Sequence, residues 1–429
     1  MSALICFVNV VLFAAVSAEE STIDSIRRAC TVYCKGPILH YVQISGIYND
    51  SKTFVDMPMR VDPEIVNAAF LEIEDPYDVE TIKDFLDTYF FEAGSDLDEW
   101  IPTDLHDNPQ FIDNIDNADY QLWAKSLNEL WLVLGRQVNE SAKLNPQRTS
   151  YVPRNYPMIV PGGRFRESYY WDSWWIVRGL LICDMPQTAE YVMLNLLDDL
   201  NSFHFVPNGG RIYYLDRSQP PLLSEIVISI VEYYGWDSPN STAVLNLAYP
   251  MLCAEYQWWM NPNNDHTVEL SQCTQQDGLL CVLNRYHSNN TLPRPESYLA
   301  DIETAGVEVT SPNWNTSTAQ QQLLYRNIRT GAETGWDFSS RWLSPTVGPN
   351  GDPAYNLSTI DTTDIIPVEL NAFLYRMELN LARMADHLFL EDASTYTSAA
   401  ADRKSAIDAI LWNESTSRLE LYCVHCDWR

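Results

Sequence analysis

From Tyr169 onward, apolar residues recur at helical spacing in one run after another, and almost nowhere at the alternate-residue spacing of a strand. A chain whose apolar residues lie in helical stripes buries them helix against helix, so this pattern constrains the fold more than any single motif. Tyr169 to Ile182 is apolar nearly all round and is expected to be buried. The run from about Gln187 to Phe203 sets Val192, Leu196, Leu200 and Phe203 on one face, and Pro207-Asn208-Gly209-Gly210 stops it. Leu222 to Tyr234 restarts a helix behind Pro220-Pro221, as helix starts permit. Further helical runs lie near 243–260, 318–328, 365–388 and 392–412. Upstream, residues 64–134 read as helical and acidic, with the acidic positions forming a solvated face, and the Pro-, Gly- and Arg-rich stretch 143–165 reads as irregular. No repeat, low-complexity tract or Pro/Gly/Ser linker divides the chain. The reading is one all-α domain of helix pairs joined by loops, several of them long and rich in Trp, Arg and Asp, where function is expected.

Leu4 to Val16 is apolar apart from Asn9 and leads into the small-residue site Val16-Ser17-Ala18, so residues 1–18 read as a signal peptide and 19–429 as the mature domain. No later apolar run approaches the ~20 residues needed to cross a bilayer, which leaves a membrane anchor only beyond Arg429. Of nine cysteines, Cys6 leaves with the leader; Cys30/Cys34 and Cys423/Cys426 are close pairs, Cys273/Cys281 a looser one, and Cys183 and Cys253 lie in helical runs. Spacing does not fix their connectivity. Seven N-x-[ST] sequons, at Asn49, Asn139, Asn240, Asn289, Asn315, Asn356 and Asn413, fit a glycosylated exterior. Together these features predict a protein secreted or held on the extracellular face of the plasma membrane. The formal charge of −31 argues against nucleic acid and against an anionic membrane surface, whereas a neutral substrate meets no such penalty.

Familiar catalytic motifs are missing: there is no G-x-S-x-G elbow, no P-loop and no H-E-x-x-H, and the seven histidines are dispersed, so no metal site is expected. Cys423-Val424-His425-Cys426 has redox spacing but lacks a βαβ context. Four segments instead combine Arg, carboxylate and aromatic residues: Pro161 to Trp174, Pro207 to Pro220, Arg294 to Tyr298, and Gly335 to Trp342. A sugar presents ring hydroxyls, which Asp, Asn and Arg can take, and an apolar C–H face, which a flat indole covers. Glycoside hydrolysis adds a carboxylic acid and a carboxylate across the scissile bond. Any one segment could equally be a buried Arg–Asp pair packing a loop onto helices; four in one chain favour a site.

Pro161-Gly-Gly-Arg164-Phe-Arg-Glu167-Ser-Tyr169-Tyr-Trp171-Asp172 carries every fixed position of P-G-G-R-F-x-E-x-Y-x-W-D and closely resembles the first signature of the trehalase family. Asp50-Ser-Lys-Thr-Phe-Val-Asp56-Met, Pro207 to Pro221, Arg294-Pro-Glu296 and Gly335 to Trp342 resemble further stretches of that family in the same order, over about Cys34 to Trp412. The resemblance implies an (α/α)6 toroid that hydrolyses α,α-trehalose to two glucose molecules with inversion, using no cofactor. It places the general acid at Asp337 and sugar contacts at Arg164, Trp171, Asp172, Asn208, Arg217, Ser218, Gln219, Arg294, Glu296 and the Gly335 turn.

One departure matters. The family's second signature, Q-W-D-x-P-x-G-W-x-P, is absent, and so is the segment carrying the general base. The expectation is a toroid lacking its last helices, with little or no turnover. Glu167, Asp172, Glu296 and Glu369 are the carboxylates near the motifs, but the resemblance gives Asp172 and Glu296 to sugar binding and places the base beyond Arg429. The alternative reading is a secreted, non-catalytic sugar-binding protein of the same fold.

Overall fold

The computed structural model describes residues 22–270, 281–310, 314–347 and 353–424. The expected leader, Cys273 and Cys426 lie outside the described residues. Helix α1 (22–33) turns into α2 (Pro37–Ile44) across a Cys30–Cys34 disulfide. With α3 (Lys52–Val55), α4 (Pro63–Leu71) and α5 (Val79–Tyr89) these helices enclose Tyr33, Phe54, Phe70, Phe85 and Phe90 in one apolar cluster. Helix α5 begins where the Asp78 side chain accepts the Thr81 N–H, and it buries Ile82, Phe85 and Leu86 while its acidic side faces solvent. Helix α6 (Ala118–Leu134), capped by Asn117, and the short α7 (Glu140–Leu144) follow.

The body comprises α8 (Tyr170–Ile182), α9 (Pro186–Phe203), α10 (Leu223–Tyr234), α11 (Pro239–Trp259), α12 (Tyr298–Thr304), α13 (Ala319–Glu333), α14 (Val368–His387) and α15 (Ala393–Ile410). The hairpins α8–α9, α10–α11 and α14–α15 stand side by side. α10 packs against both α8 and α14 in one layer, and α9 and α11 pack behind them in a second. The layers meet over Val177, Leu196, Ile226, Val227, Ile230, Leu245, Leu374 and Leu381, all buried. Each such side chain contributes about 1.5–3 kcal/mol relative to exposure. Strands are few and short. Leu97–Glu99, Gly135–Val138 and Met158–Ile159 form a three-stranded antiparallel patch, and Thr267–Leu270 pairs with Cys281–Asn284. No helix among the described residues is long and apolar enough to cross a membrane.

Three elements differ from the sequence reading. α8 is not buried all round: Trp175 and Ile182 stand exposed, 59 % and 53 %. α6 buries only Ala124 and Asn128 and turns Tyr120, Trp123, Leu127 and Leu130 outward, so its open face is apolar rather than an acidic solvated one. α13 runs on to Glu333, past the expected end near 328, because Asn327, Arg329, Thr330 and Glu333 are polar residues on a buried face, which hydrophobic periodicity does not register.

Candidate active site

A cavity of about 280 Å3 opens at the N-terminal ends of α8 and α10, beyond the C-terminal end of α13. Its walls come from the four segments singled out above, with Ala332 at the end of α13. Arg164, Trp171, Asp172, Asn208, Arg217, Gln219, Arg294, Glu296, Gly335 and Asp337 all line it, together with Phe165, Tyr169, Tyr214 and Phe338. Ser218 does not reach it: this fully buried hydroxyl donates to the Val206 carbonyl at 2.6 Å.

The first turn of α8 leaves backbone N–H groups unpaired, and the cavity loops satisfy them. Tyr170 N–H donates to the Asn208 carbonyl at 3.2 Å, and Trp171 N–H donates to Gln219 Oε1 at 3.1 Å. Because its oxygen is occupied, Gln219 has its amide N–H groups left for the cavity. Asn208 is held in turn: its N–H donates to the Arg217 carbonyl at 2.9 Å and its Nδ2 reaches the Ser218 carbonyl at 3.3 Å. Thus the 207–219 loop and the start of α8 fix each other. The Trp171 indole packs against Gly335, where a Cβ would sit 2.8 Å from the ring.

The three arginines are held by carboxylates. Arg294 clasps Asp301 through Nε at 3.0 Å and Nη2 at 2.6 Å, and its guanidinium lies 4.8 Å from the Phe338 ring centre. Arg217 donates to Glu296 at 2.8 Å and sits over the Tyr214 ring. Arg164 clasps Asp50 at the mouth through Nε at 2.7 Å and Nη2 at 2.6 Å. Glu296 Oε2 and Arg217 Nε are buried and find no hydrogen-bond partner among the described residues, so the lining keeps unused donor and acceptor capacity.

Asp337 stands on the exposed 336–338 turn at the cavity edge, with a positive φ of 42°. Although its residue surface reaches solvent, crowding on the cavity side desolvates the carboxyl and raises its pKa above the ordinary aspartate value. Arg294 and Arg217 oppose the rise, and Glu296 adds to it. Asp172 is also raised, by burial first and by Asp337 second. Glu296 goes the other way: burial pushes it up, but Arg217, Arg294 and Arg329 outweigh that and hold it ionised. The cavity thus sets two carboxyls that hold protons more readily beside one that stays charged.

Of the remaining carboxylates near the motifs, Glu167 is fully buried against Lys52 at 2.8 Å and receives the Tyr169 hydroxyl, and Glu369 pairs with Arg341 at 3.2 Å; neither lines the cavity. One organising residue escaped the sequence reading. Glu333, fully buried at the end of α13, accepts Ser218 N–H at 2.9 Å and His287 N–H at 2.8 Å, tying two cavity loops to the helix that leads into the Asp337 turn. Its sequence signal, a lone Glu two residues before Gly335, does not reveal partners 115 and 46 residues away. Among the described residues no group of three His, Cys, Asp or Glu side chains is placed to hold a metal ion.

Fixed guanidinium forks, a flat indole and protonatable carboxyls around a space this size suit a neutral, polyhydroxylated ring. Comparison with known proteins fits that chemistry. The sequence model described as Trehalase matches residues 46–424. The chain is 38 % identical to a trehalase of Dictyostelium discoideum over 90 % of its own length and 62 % of the relative's. It is 37 % identical to a trehalase of Homo sapiens over 90 % of itself and 63 % of the relative, and 37 % identical to one of Apis mellifera over 89 % and 58 %. The chain therefore spans somewhat less than two thirds of the length of these relatives.

Proposed function

The chain belongs to the trehalase family, and on that premise we propose that its cavity binds α,α-trehalose and serves its hydrolysis to two glucose molecules with inversion at one anomeric carbon. The observation that carries the proposal is the convergence of Arg164, Arg217 and Arg294 with Trp171, Asp172 and Asp337 on one space of about 280 Å3. Asp337 takes the part of general acid. A carboxyl whose pKa is raised holds its proton until the C–O bond begins to break and then delivers it to the glycosidic oxygen. Glu296, held ionised between Arg217 and Arg294, accepts sugar hydroxyls, and Trp171 covers the C–H face. Inversion also needs a carboxylate across the ring, roughly 6.5–9.5 Å from the acid, to activate water. We assign that part to no residue of this chain.

Release of glucose from trehalose by the purified protein tests the reading, with Asp337→Asn expected to lower kcat by about 10²–10⁴-fold. Activity within a few-fold of the parent in that variant would remove Asp337 from the mechanism. A second reading, a sugar-binding protein without turnover, is favoured by one observation: with Glu296 ion-paired, Asp172 is, among the described residues, the one other carboxylate lining the cavity besides Asp337. Saturable trehalose binding without glucose release would select it. We further propose export and glycosylation, supported by the leader, the sequons and the Cys30–Cys34 disulfide, which suits an oxidising compartment. Detection of the chain only inside intact cells, with no mass added at the sequons, would refute that part.

A further inference from the structure

Arg164 reaches the cavity from the tip of a tight turn. Gly162 and Phe165 exchange two backbone hydrogen bonds of 3.1 Å, and Gly162 and Gly163 take positive φ values of 101° and 62°. A Gly-Gly turn bearing a long side chain has wide conformational freedom, and a hydroxyl-binding cation placed there is poorly organised unless something holds it. Asp50, 114 residues away, does so: both its carboxylate oxygens accept from Arg164, using Nε–H and one Nη2–H. Three of the five guanidinium N–H groups remain free of that clasp. Asp50 is itself fixed, because its Oδ1 also accepts the Lys52 N–H at 3.0 Å at the start of α3. α3 packs against the 295–297 turn that carries Glu296, and Lys52 reaches Glu167 at 2.8 Å, which also receives the Tyr169 hydroxyl and pairs with Arg211 at 3.5 Å. Asp56 at the end of the stretch accepts the Tyr213 hydroxyl at 2.7 Å, so residues 50–56, which line no part of the cavity, touch three of the four segments that form its walls.

We infer that Asp50 is a positioning residue for sugar binding, acting through its two-point clasp on Arg164; this rests on the proposed function. The decisive substitution is Asp50→Asn. Asparagine keeps an oxygen for the Lys52 N–H, so the start of α3 is retained, but it turns an N–H₂ donor toward Arg164 and breaks the clasp. Two readouts are made on the purified chain. The first is the Arg164 side-chain Nε–H resonance in protein labelled with ¹⁵N-arginine, identified by its loss in Arg164→Ala. It is expected to be slow-exchanging in the parent and fast-exchanging in Asp50→Asn. The second is affinity for trehalose and for D-glucose, followed by tryptophan fluorescence. It is expected to weaken about fivefold in Asp50→Asn, in keeping with a half-exposed pair, and to show no further loss when Asp50→Asn is added to Arg164→Ala. An unchanged Nε–H resonance in Asp50→Asn overturns the inference and leaves the proposed function standing. So do losses that add in the double variant. A parent that binds neither sugar overturns the proposed function and takes the sugar-binding role of the clasp with it, even where the resonance responds.

Discussion

At Gly335 a Cβ would lie 2.8 Å from the Trp171 indole, and the backbone φ of +71° is one that L side chains rarely adopt. The two constraints act together, so Gly335→Ala is expected to destabilise the protein by about 2 kcal/mol and to tilt the indole away from the cavity. Urea unfolding checks the first effect and fluorescence-detected sugar titration the second. A stability change under about 0.5 kcal/mol would mean that the wall gives way there. Residues of this kind were legible in the sequence because each sits inside a contiguous motif: Arg164, Trp171 and Asp172 in one, Gly335 and Asp337 in another. Their partners were not. The clasp of Asp50 on Arg164 and the grip of Glu333 on Ser218 join positions 114 and 115 apart, and no local pattern encodes such a pairing. Ser218 lies inside a motif too, but the Val206 carbonyl already takes its hydroxyl.

At the scale of elements, α11 presents Glu255 to the start of α8, where the fully buried carboxyl meets the Tyr170 hydroxyl and its Oε2 has no partner among the described residues. Burial pushes this carboxyl from 4.5 up to about 7, with the Tyr170 hydrogen bond pulling slightly down. A pKa raised on folding means that the native state binds the proton more tightly. The stability this brings is therefore complete below about pH 4.5 and lost as pH rises through about 7. The span is worth about 3 kcal/mol, a sizeable part of a typical domain's 5–15 kcal/mol. Glu255→Gln removes the titration, so the parent should lose stability relative to the variant between about pH 5 and pH 8. Parallel pH profiles from urea unfolding would contradict a buried, titrating Glu255. The helices around it were largely readable, since α9, α10, α14 and α15 each show an apolar stripe. α13 and α8 were read less well, because a polar buried face and an apolar exposed one both break the rule that hydrophobicity tracks burial.

At the scale of the molecule, two opposed features meet on one surface. The net charge of −31 keeps copies apart, while Tyr120, Trp123, Leu127 and Leu130 along α6, with Trp175 and Ile182 of α8, expose large apolar side chains. α6 packs onto α8 through Trp131, whose indole lies where a Cβ on Gly179 would meet it at 3.0 Å, which sets the two exposed rows on adjoining elements. Each exposed row favours association at about 25 cal/mol per Å2 buried, and salt does not weaken that term. Charge repulsion, by contrast, is screened over about 30 Å at 0.01 M salt and about 3 Å at 1 M. Repulsion should win in dilute salt and the apolar rows in concentrated salt, so the purified chain is expected to pass from monomer toward larger species as salt rises. Sedimentation velocity at the two salt limits checks this, alongside a Trp123→Ser/Leu127→Ser variant. Both positions are exposed, 64 % and 47 %, so the variant should keep the parent's unfolding midpoint while remaining monomeric throughout. Association that weakens with salt would assign it to charge pairs instead, and association that survives the double substitution would move it to another face.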